Sequence, residues 1–563
     1  MKKGKKQTIR KNTPLAIILL LMVPLYGGYH NQFVFVAGVA LVCVLLWEML
    51  RTKRILLPVG PEALCLYGIV VCTFLTVPFA VSPGMALTGG LRVTVWALFF
   101  LAAAAYSQQE RESILDAAAY EGAFLAFLSI LDFLYGRITG VVNLNGRIDG
   151  FFQYANAWGL YLLCCLLLLF LRTNHQKEDW IAIPALLCGI FLTGSRGTLL
   201  ILFFLALGYG IEQVFRHRKI MPLLAIAGIF LLAGGLTAVL SGGMVLQRLK
   251  AITLSSTTLS GRLLYYADGL RMLSTHPLGA GRGGYLYIQA AEQTGIYTTH
   301  HIHNEYLQCA LDGGILCGLL MAGLAVALLL RRGAALRERT VCFAVCVHAC
   351  IDFDFQFTAI VLLLLLCGSG GRTRIFHVSK RIPTVMVCGV LAALFSYFSV
   401  TYYLDFMQKP IAAYTMFPAD LSLAENRLQS FQTVEDAELL ADKILQTTDL
   451  SMIAWDCKYT AASQRGDWAA MVESKYHYLK LRRYAGEVYE EFLNLLEQAC
   501  LKCSPAELSK YLDIAQEVQK QLEEVTEHTN PLAYRIADEP VAFAAEIQER
   551  LQKIIDKERV DLN

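Results

Sequence analysis

The chain has 563 residues, 56% hydrophobic and only 17% charged, with a formal net charge of +3. Soluble domains carry about 25% charged residues, so this composition excludes a string of ordinary soluble domains. The basic residues sit in short clusters between apolar runs rather than on one face, which excludes a nucleic-acid partner.

Met1-Lys2-Lys3-Gly4-Lys5-Lys6 followed by an apolar run imitates a signal peptide. No small-residue cleavage site follows and a second apolar run begins almost at once, so we read an uncleaved first helix. A spanning helix needs roughly 20 mainly apolar residues. Stretches near that length recur at 14–30, 32–50, 62–80, 91–106, 113–135, 151–171, 180–193, 198–214, 220–240, 305–330, 340–352, 356–369 and 383–404. The expected fold class is therefore all-α, a polytopic membrane bundle of about 13 transmembrane helices over residues 1–404. The short stretches 340–352 and 356–369 could instead form one re-entrant hairpin.

Lys and Arg in the short connections orient these spans. With the N-terminus inside, the inner segments hold 23 basic residues, including Arg51-Thr52-Lys53-Arg54, Arg216-His217-Arg218-Lys219 and Arg331-Arg332; the short outer loops hold three, Arg137, Arg147 and Arg196. This alternation places outside the loop 136–150, the long connection 241–304 and everything after 404. Most of the 16 Cys lie inside apolar runs, among them Cys164, Cys165, Cys342 and Cys346, where they act as small hydrophobes. Cys500-x-x-Cys503 lacks a second ligand pair, so it is a weak zinc motif.

The outer-side residues carry the chemistry. Arg147 lies in Asn145-Gly146-Arg147-Ile148-Asp149-Gly150, with Asn156 one turn into the next helix. Arg196 sits in Thr193-Gly194-Ser195-Arg196-Gly197, a tight break between two apolar runs whose glycines permit close approach to a ligand. A charge at a membrane boundary is a functional candidate, and the alternative is an Arg snorkelling to lipid headgroups. Arg262, in Ser260-Gly261-Arg262, is expected at a helix N-terminus, where backbone N–H groups favour an anion. Three guanidinium forks beside one membrane face suit a diphosphate.

Gly279-Ala280-Gly281-Arg282-Gly283-Gly284 has the spacing of a dinucleotide-binding loop, but it follows Thr275-His276-Pro277 rather than a strand, so we read it as a turn in the outer connection. The densest constellation is Thr298-Thr299-His300-His301-Ile302-His303-Asn304-Glu305-Tyr306-Leu307. Its imidazoles can exchange protons near neutral pH. They could also bind zinc or only hold structure, although the i, i+4 pair of a helical zinc site is missing. His348 and Asp352 are spaced to share a helix face, either near the site or as an ion pair that holds helices together.

After Leu404 the chain turns polar, with apolar residues at helical spacing as in Ala437-Glu438-Leu439-Leu440-Ala441-Asp442-Lys443-Ile444-Leu445. Residues 405–563 are expected to form a soluble α-helical domain, either tetratricopeptide-like helix-turn-helix repeats or a plain bundle.

The order of these features resembles the O-antigen ligase and polymerase family of bacterial envelope glycosyltransferases. The matching residues are Arg147 to Asn156, Ser195-Arg196-Gly197, Ser260-Gly261-Arg262, Pro277-Leu278-Gly279-Ala280-Gly281, His301-Ile302-His303-Asn304-Glu305-Tyr306-Leu307 continuing into Asp312-Gly313-Gly314-Ile315, and His348 with Asp352. The resemblance covers roughly residues 60 to 370. It implies a metal-independent, inverting transfer of a glycan from a polyprenyl-diphosphate carrier to a glycan, lipid or protein acceptor, with no cofactor. On that pattern Arg196, Arg262 and Arg147 hold the diphosphate, His303 or His301 is the general base, and Asn304, His348 and Asp352 support them. The setting it implies is the bacterial cytoplasmic membrane, with the active site and tail outside and the tail free to meet envelope proteins. His300 departs from the pattern as a third neighbouring histidine. The rival reading is a lipid-linked oligosaccharide flippase, but we see no repeat between the two halves of the kind transporters show.

Overall fold

In the computed structural model, the chain is described over residues 14–136, 146–240, 257–378, 380–431, 433–537 and 539–562. Each of the 13 apolar stretches contains helix. Among the described residues, seven helices are long and apolar enough to cross a bilayer: Asn31–Thr52, Pro61–Phe79, Pro83–Ala103, Gln108–Tyr135, Arg196–His217, Met221–Val239 and Arg381–Phe406. Four further apolar helices are shorter, Ala155–Phe170, Asp179–Thr193, Ile315–Leu329 and Thr358–Gly368. The remaining stretches give a helix over 14–22 and the helix Leu336–His348. The architecture is all-α and polytopic.

Capping residues explain where helix ends depart from the apolar windows. Ser107 and Glu110 form a capping box, so that helix starts at Gln108, ahead of its apolar run. Ser82 caps the helix that opens on Pro83. The expected stretch 305–330 is two helices, Glu305–Gly313 and Ile315–Leu329, broken at Gly314. Gly314 has φ +88°, and a Cβ there would press the Leu278 carbonyl group at 3.0 Å.

Burial grades across the bundle. In Ala155–Phe170 every residue except Asn156 and Phe170 is buried, as a helix apolar all round should be when it takes the centre. Met221–Val239 lies at the rim, almost wholly apolar and with Thr237 its one buried residue.

The connections sort onto two ends. At one end Arg172 bridges Asp116 (3.1 Å) and Asp179 (3.2 Å), Arg337 reaches Asp116 (2.7 Å), and Arg331 pairs with Glu338 (2.7 Å). Two strands absent from the sequence expectation, Arg54–Pro58 and Thr373–His377, pair antiparallel there, with Arg54 opposite His377. Two connections lying side by side satisfy each other's backbone in this way.

At the other end lie Gly28 and Tyr29, the 146–154 segment, the Gly194–Gly197 break, the loop 350–357 and the connection before Glu305. That connection, described from residue 257, forms the helices Thr257–Thr275 and Gly284–Glu292. The expected outer residues Arg137 and Asn145, and residues 241–256, fall outside the described segments. The tail joins this end. Its helices from Pro410–Met416 to Ala544–Leu562 pack in succession around one apolar core of their own and one shared with Tyr287 of the outer connection. Arg483 donates to the Ala291 carbonyl (2.8 Å), the Asn530 N–H to Thr294 O (2.9 Å), and the Leu421 N–H to Ser82 Oγ (3.1 Å).

Candidate active site

The break between Asp179–Thr193 and Arg196–His217 is built by glycine and serine. Gly194 takes φ +57° and ends the first helix, and Ser195 caps the second, leaving Arg196 in its first turn. Gly197 has no room for a side chain, because a Cβ would lie 2.7 Å from Ile351 Cδ1 and 3.2 Å from His348 Nε2. A cavity of about 160 Å³ opens beside this break. Arg147, Arg196 and Arg262 all line it, together with Asn156, Thr258, His348 and Asp352.

Asp352, 1% exposed, ties the cavity together. Its Oδ2 accepts from Arg262 Nη2 (3.1 Å) and Asn156 Nδ2 (2.7 Å). Its Oδ1 accepts from Tyr154 Oη (2.8 Å) and faces His303 Nδ1 at 3.2 Å. Burial alone would raise this carboxyl, but the His303 hydrogen bond and the Arg262 charge hold it below the usual carboxylate range. Arg147 is fixed from the other side, donating Nε to Thr193 O (2.7 Å) and Nη2 to Asn156 Oδ1 (2.9 Å).

The histidines diverge. His303 sits at φ +57°, held there by Tyr266 Oη donating to its carbonyl (2.7 Å), and turns its ring to Asp352. His301 turns the other way. Its Nε2 lies 3.3 Å from Tyr29 Oη and its ring packs on Phe353 with centroids 4.7 Å apart. Burial, reinforced by the positive charge of Arg282, pushes the His301 imidazole down to about 3. Among the described residues, no three His, Cys, Asp or Glu side chains gather where a metal ion could be held. Asn304 is spent on structure: it caps Glu305–Gly313 through the Leu307 N–H (3.0 Å) and donates to Cys350 O (3.1 Å).

Two expectations need correction. His348 and Asp352 do not share a helix face, because the helix ends at His348. His348 pairs instead with Asp354 (2.7 Å), while its Nε2 lies 3.3 Å from Thr198 Oγ1. Arg262 is not at a helix N-terminus either. It lies in the second turn of Thr257–Thr275, aimed sideways at Asp352.

Residues 181–322 match a family model described as O-antigen ligase. That segment belongs to the O-antigen ligase family. No curated protein and no solved structure matches the chain. At family level the chain is a multi-pass, glycosyl-transferring membrane protein of surface polysaccharide synthesis whose substrate is a lipid-linked glycan. The O-antigen ligase segment carries His301 and His303 and, of the cavity lining, Arg196 and Arg262; Arg147, Asn156, His348 and Asp352 line that cavity from outside the segment, and His303 meets it through Asp352.

Several residues of this end escaped the sequence reading. Arg92 is fully buried and donates to the carbonyls of Gly28, Tyr29 (2.9 Å) and Gln356. Arg282, in the glycine run set aside as a turn, donates to Asn31 Oδ1 (3.2 Å) and Gln356 Oε1 (2.9 Å). The available signal was that both are Arg residues in or beside an apolar or glycine-rich stretch, the same property that singled out Arg196.

Proposed function

We propose that this protein transfers a glycan from a polyprenyl-diphosphate carrier to an acceptor hydroxyl, without a metal, at the extracytoplasmic face of a bacterial cytoplasmic membrane. The convergence of Arg147, Arg196 and Arg262 on one cavity carries the reading. Guanidinium forks match diphosphate oxygens, and the N-terminus of Arg196–His217 adds backbone N–H groups aimed at the same space. As the glycosidic bond breaks, these groups stabilise the charge developing on the leaving diphosphate.

His303 is the base that fits. An imidazole whose Nδ1 faces a carboxylate holds its proton there and leaves Nε2 to accept one. Asp352 also stabilises the imidazolium that forms, and through Arg262 it couples base and diphosphate site. His301 is a poor base because its surroundings oppose protonation. The C-terminal domain is a helical stack of the tetratricopeptide kind that covers the acceptor side.

The test uses purified full-length protein and a polyprenyl-diphosphate-linked oligosaccharide with chelator present. Transfer should proceed and should fall by roughly 10²–10³ on Arg196→Ala with Arg262→Ala. Transfer that needs an added metal, or that survives the double substitution, would overturn the reading. In cells, deleting the gene separates the two acceptor classes: shortened surface chains indicate a polymerase, and accumulated full-length carrier-linked chains indicate a ligase.

A further inference from the structure

The glycine run Gly279–Gly284 does more than turn the chain. Gly279, Gly281 and Gly283 all have positive φ, and a Cβ at each would collide with Gly314 N, Ala80 Cβ and Met85 Cε at 2.5, 2.5 and 2.4 Å. Only glycines let this segment thread between the helices Pro83–Ala103 and Glu305–Gly313 and deliver Arg282 to Asn31 and Gln356. Arg282 there lines a second cavity of about 160 Å³, closed by Asn31, Gln308, Asp312, Gln356 and His301 from the membrane part. Asp420 and Ser422 close it from the tail. A narrower recess of about 40 Å³, sharing Arg282, Asp312 and Gln356, continues from it past Arg92 and Glu305.

The lining differs from that of the arginine cavity in charge. Arg282 faces two carboxylates, Asp312 and Asp420, beside amides and the Tyr402 hydroxyl, so there is no excess positive charge to attract a phosphate. Planar donors and acceptors side by side suit a ligand that both donates and accepts at every edge, as sugar hydroxyls do. The groups are pre-positioned: Gln308 Nε2 donates to Asp312 Oδ1 (2.9 Å), and Tyr402 bonds Asp420 while its hydroxyl meets Thr88 Oγ1 (3.0 Å). Gln356 uses its carbonyl on Arg282, which leaves its amide N–H groups for a ligand. The His301 ring and the Met85 thioether offer apolar surface for a sugar face.

The two cavities are one aromatic ring apart. Phe353 packs on His301 (4.7 Å) and on His303 (5.0 Å), and its N–H donates to Asp352 (2.9 Å). We infer that the cavity around Arg282 is a subsite for a neutral sugar ring of the acceptor glycan, built by the glycine run and completed by the tail. This rests on the transfer reading above. It gives the tail a part in substrate binding, because Asp420 and Ser422 come from the tail's side.

The test uses the full chain in nanodiscs and two probes, inorganic pyrophosphate and a panel of methyl glycosides of glucose, galactose, N-acetylglucosamine and rhamnose. By saturation-transfer NMR at least one glycoside should bind with millimolar Kd, and Arg282→Gln and Ser422→Tyr should each weaken it about tenfold or more while pyrophosphate binding is unchanged. Ser422→Tyr fills the cavity from the half-buried first turn of Leu421–Leu428, and retained pyrophosphate binding reports that either variant is folded. No glycoside binding, or binding that both variants leave intact, overturns the subsite while pyrophosphate binding leaves the transfer reading standing. Glycoside binding without pyrophosphate binding sinks the transfer reading and keeps the sugar site. In transfer assays Arg282→Gln should raise the acceptor KM and leave the donor KM unchanged. The reverse pattern would assign the cavity to the donor glycan and overturn the acceptor assignment.

Discussion

At the scale of single residues, the two candidate bases separate by what their rings touch. His303→Ala should lower kcat by about 10²–10⁴, the usual worth of a positioned general base, whereas His301→Gln should change kcat by less than about tenfold. The His301 ring also makes the protein acid-sensitive in a predictable direction. In the folded state it stays neutral down to about 3, while in the unfolded chain it takes up a proton near the ordinary histidine value. Acid therefore favours the unfolded state as pH falls below about 6.5, and above that no penalty exists. Between pH 7.5 and 5 this costs about 2 kcal/mol of stability, measurable by thermal unfolding in detergent, and His301→Gln should remove most of that slope. Asp352 works in a lower window. Its depressed carboxyl contributes stability that is present above the ordinary Asp value and lost only as pH falls through its folded value.

At the scale of elements, much was legible because apolar length and basic clusters act locally. Every apolar stretch contains helix, and the Gly194-Ser195 break lies where its glycine and cap place it. Spacing arguments failed where an element ended early. The pairing of His348 with Asp352 presumed a helix through both, and the chain leaves the helix at His348, which hands His348 to Asp354. The three arginines and Asp352 could be named from the sequence, but their connection could not, since Asp352 bonds Arg262 directly and reaches Arg147 through Asn156 only by long-range packing. The glycine run shows the same limit, because its spacing looked like a turn while its purpose lies in what crowds it. Gly279→Ala should destabilise the protein by about 2 kcal/mol or more, since the facing backbone of residues 312–314 blocks relief. Gly333→Ala, at φ +76° with nothing within 4 Å, should cost only the left-handed strain of about 1–2 kcal/mol. Equal shifts in Tm for the two would show that crowding at Gly279 contributes nothing.

At the scale of the whole molecule, the tail and the outer connection share apolar clusters, Tyr287 with Leu421, Ala424 and Leu440 and Leu264 and Tyr297 with Ala533, and polar contacts flank them. Tyr287, on the helix Gly284–Glu292, donates to Glu425 Oε2 (2.9 Å), and Ser451 donates to the other oxygen (2.6 Å). Burial raises the Glu425 carboxyl and these two donors lower it, so removing one leaves a half-satisfied acid inside the contact. Arg483 holds the far edge through the Ala291 carbonyl. Tyr287→Phe with Arg483→Ala should therefore loosen the contact by about 1–3 kcal/mol without unfolding either part, because Phe keeps the ring in the shared apolar cluster and the main core of each part is untouched. Hydrogen exchange reads this directly. Amides of Gly284–Glu292 and Leu421–Leu428 should exchange faster together, while those of Ala155–Phe170 stay protected. If only one of the two outer helices changes, or neither does, the tail is held by some other contact and these hydrogen bonds are incidental to it.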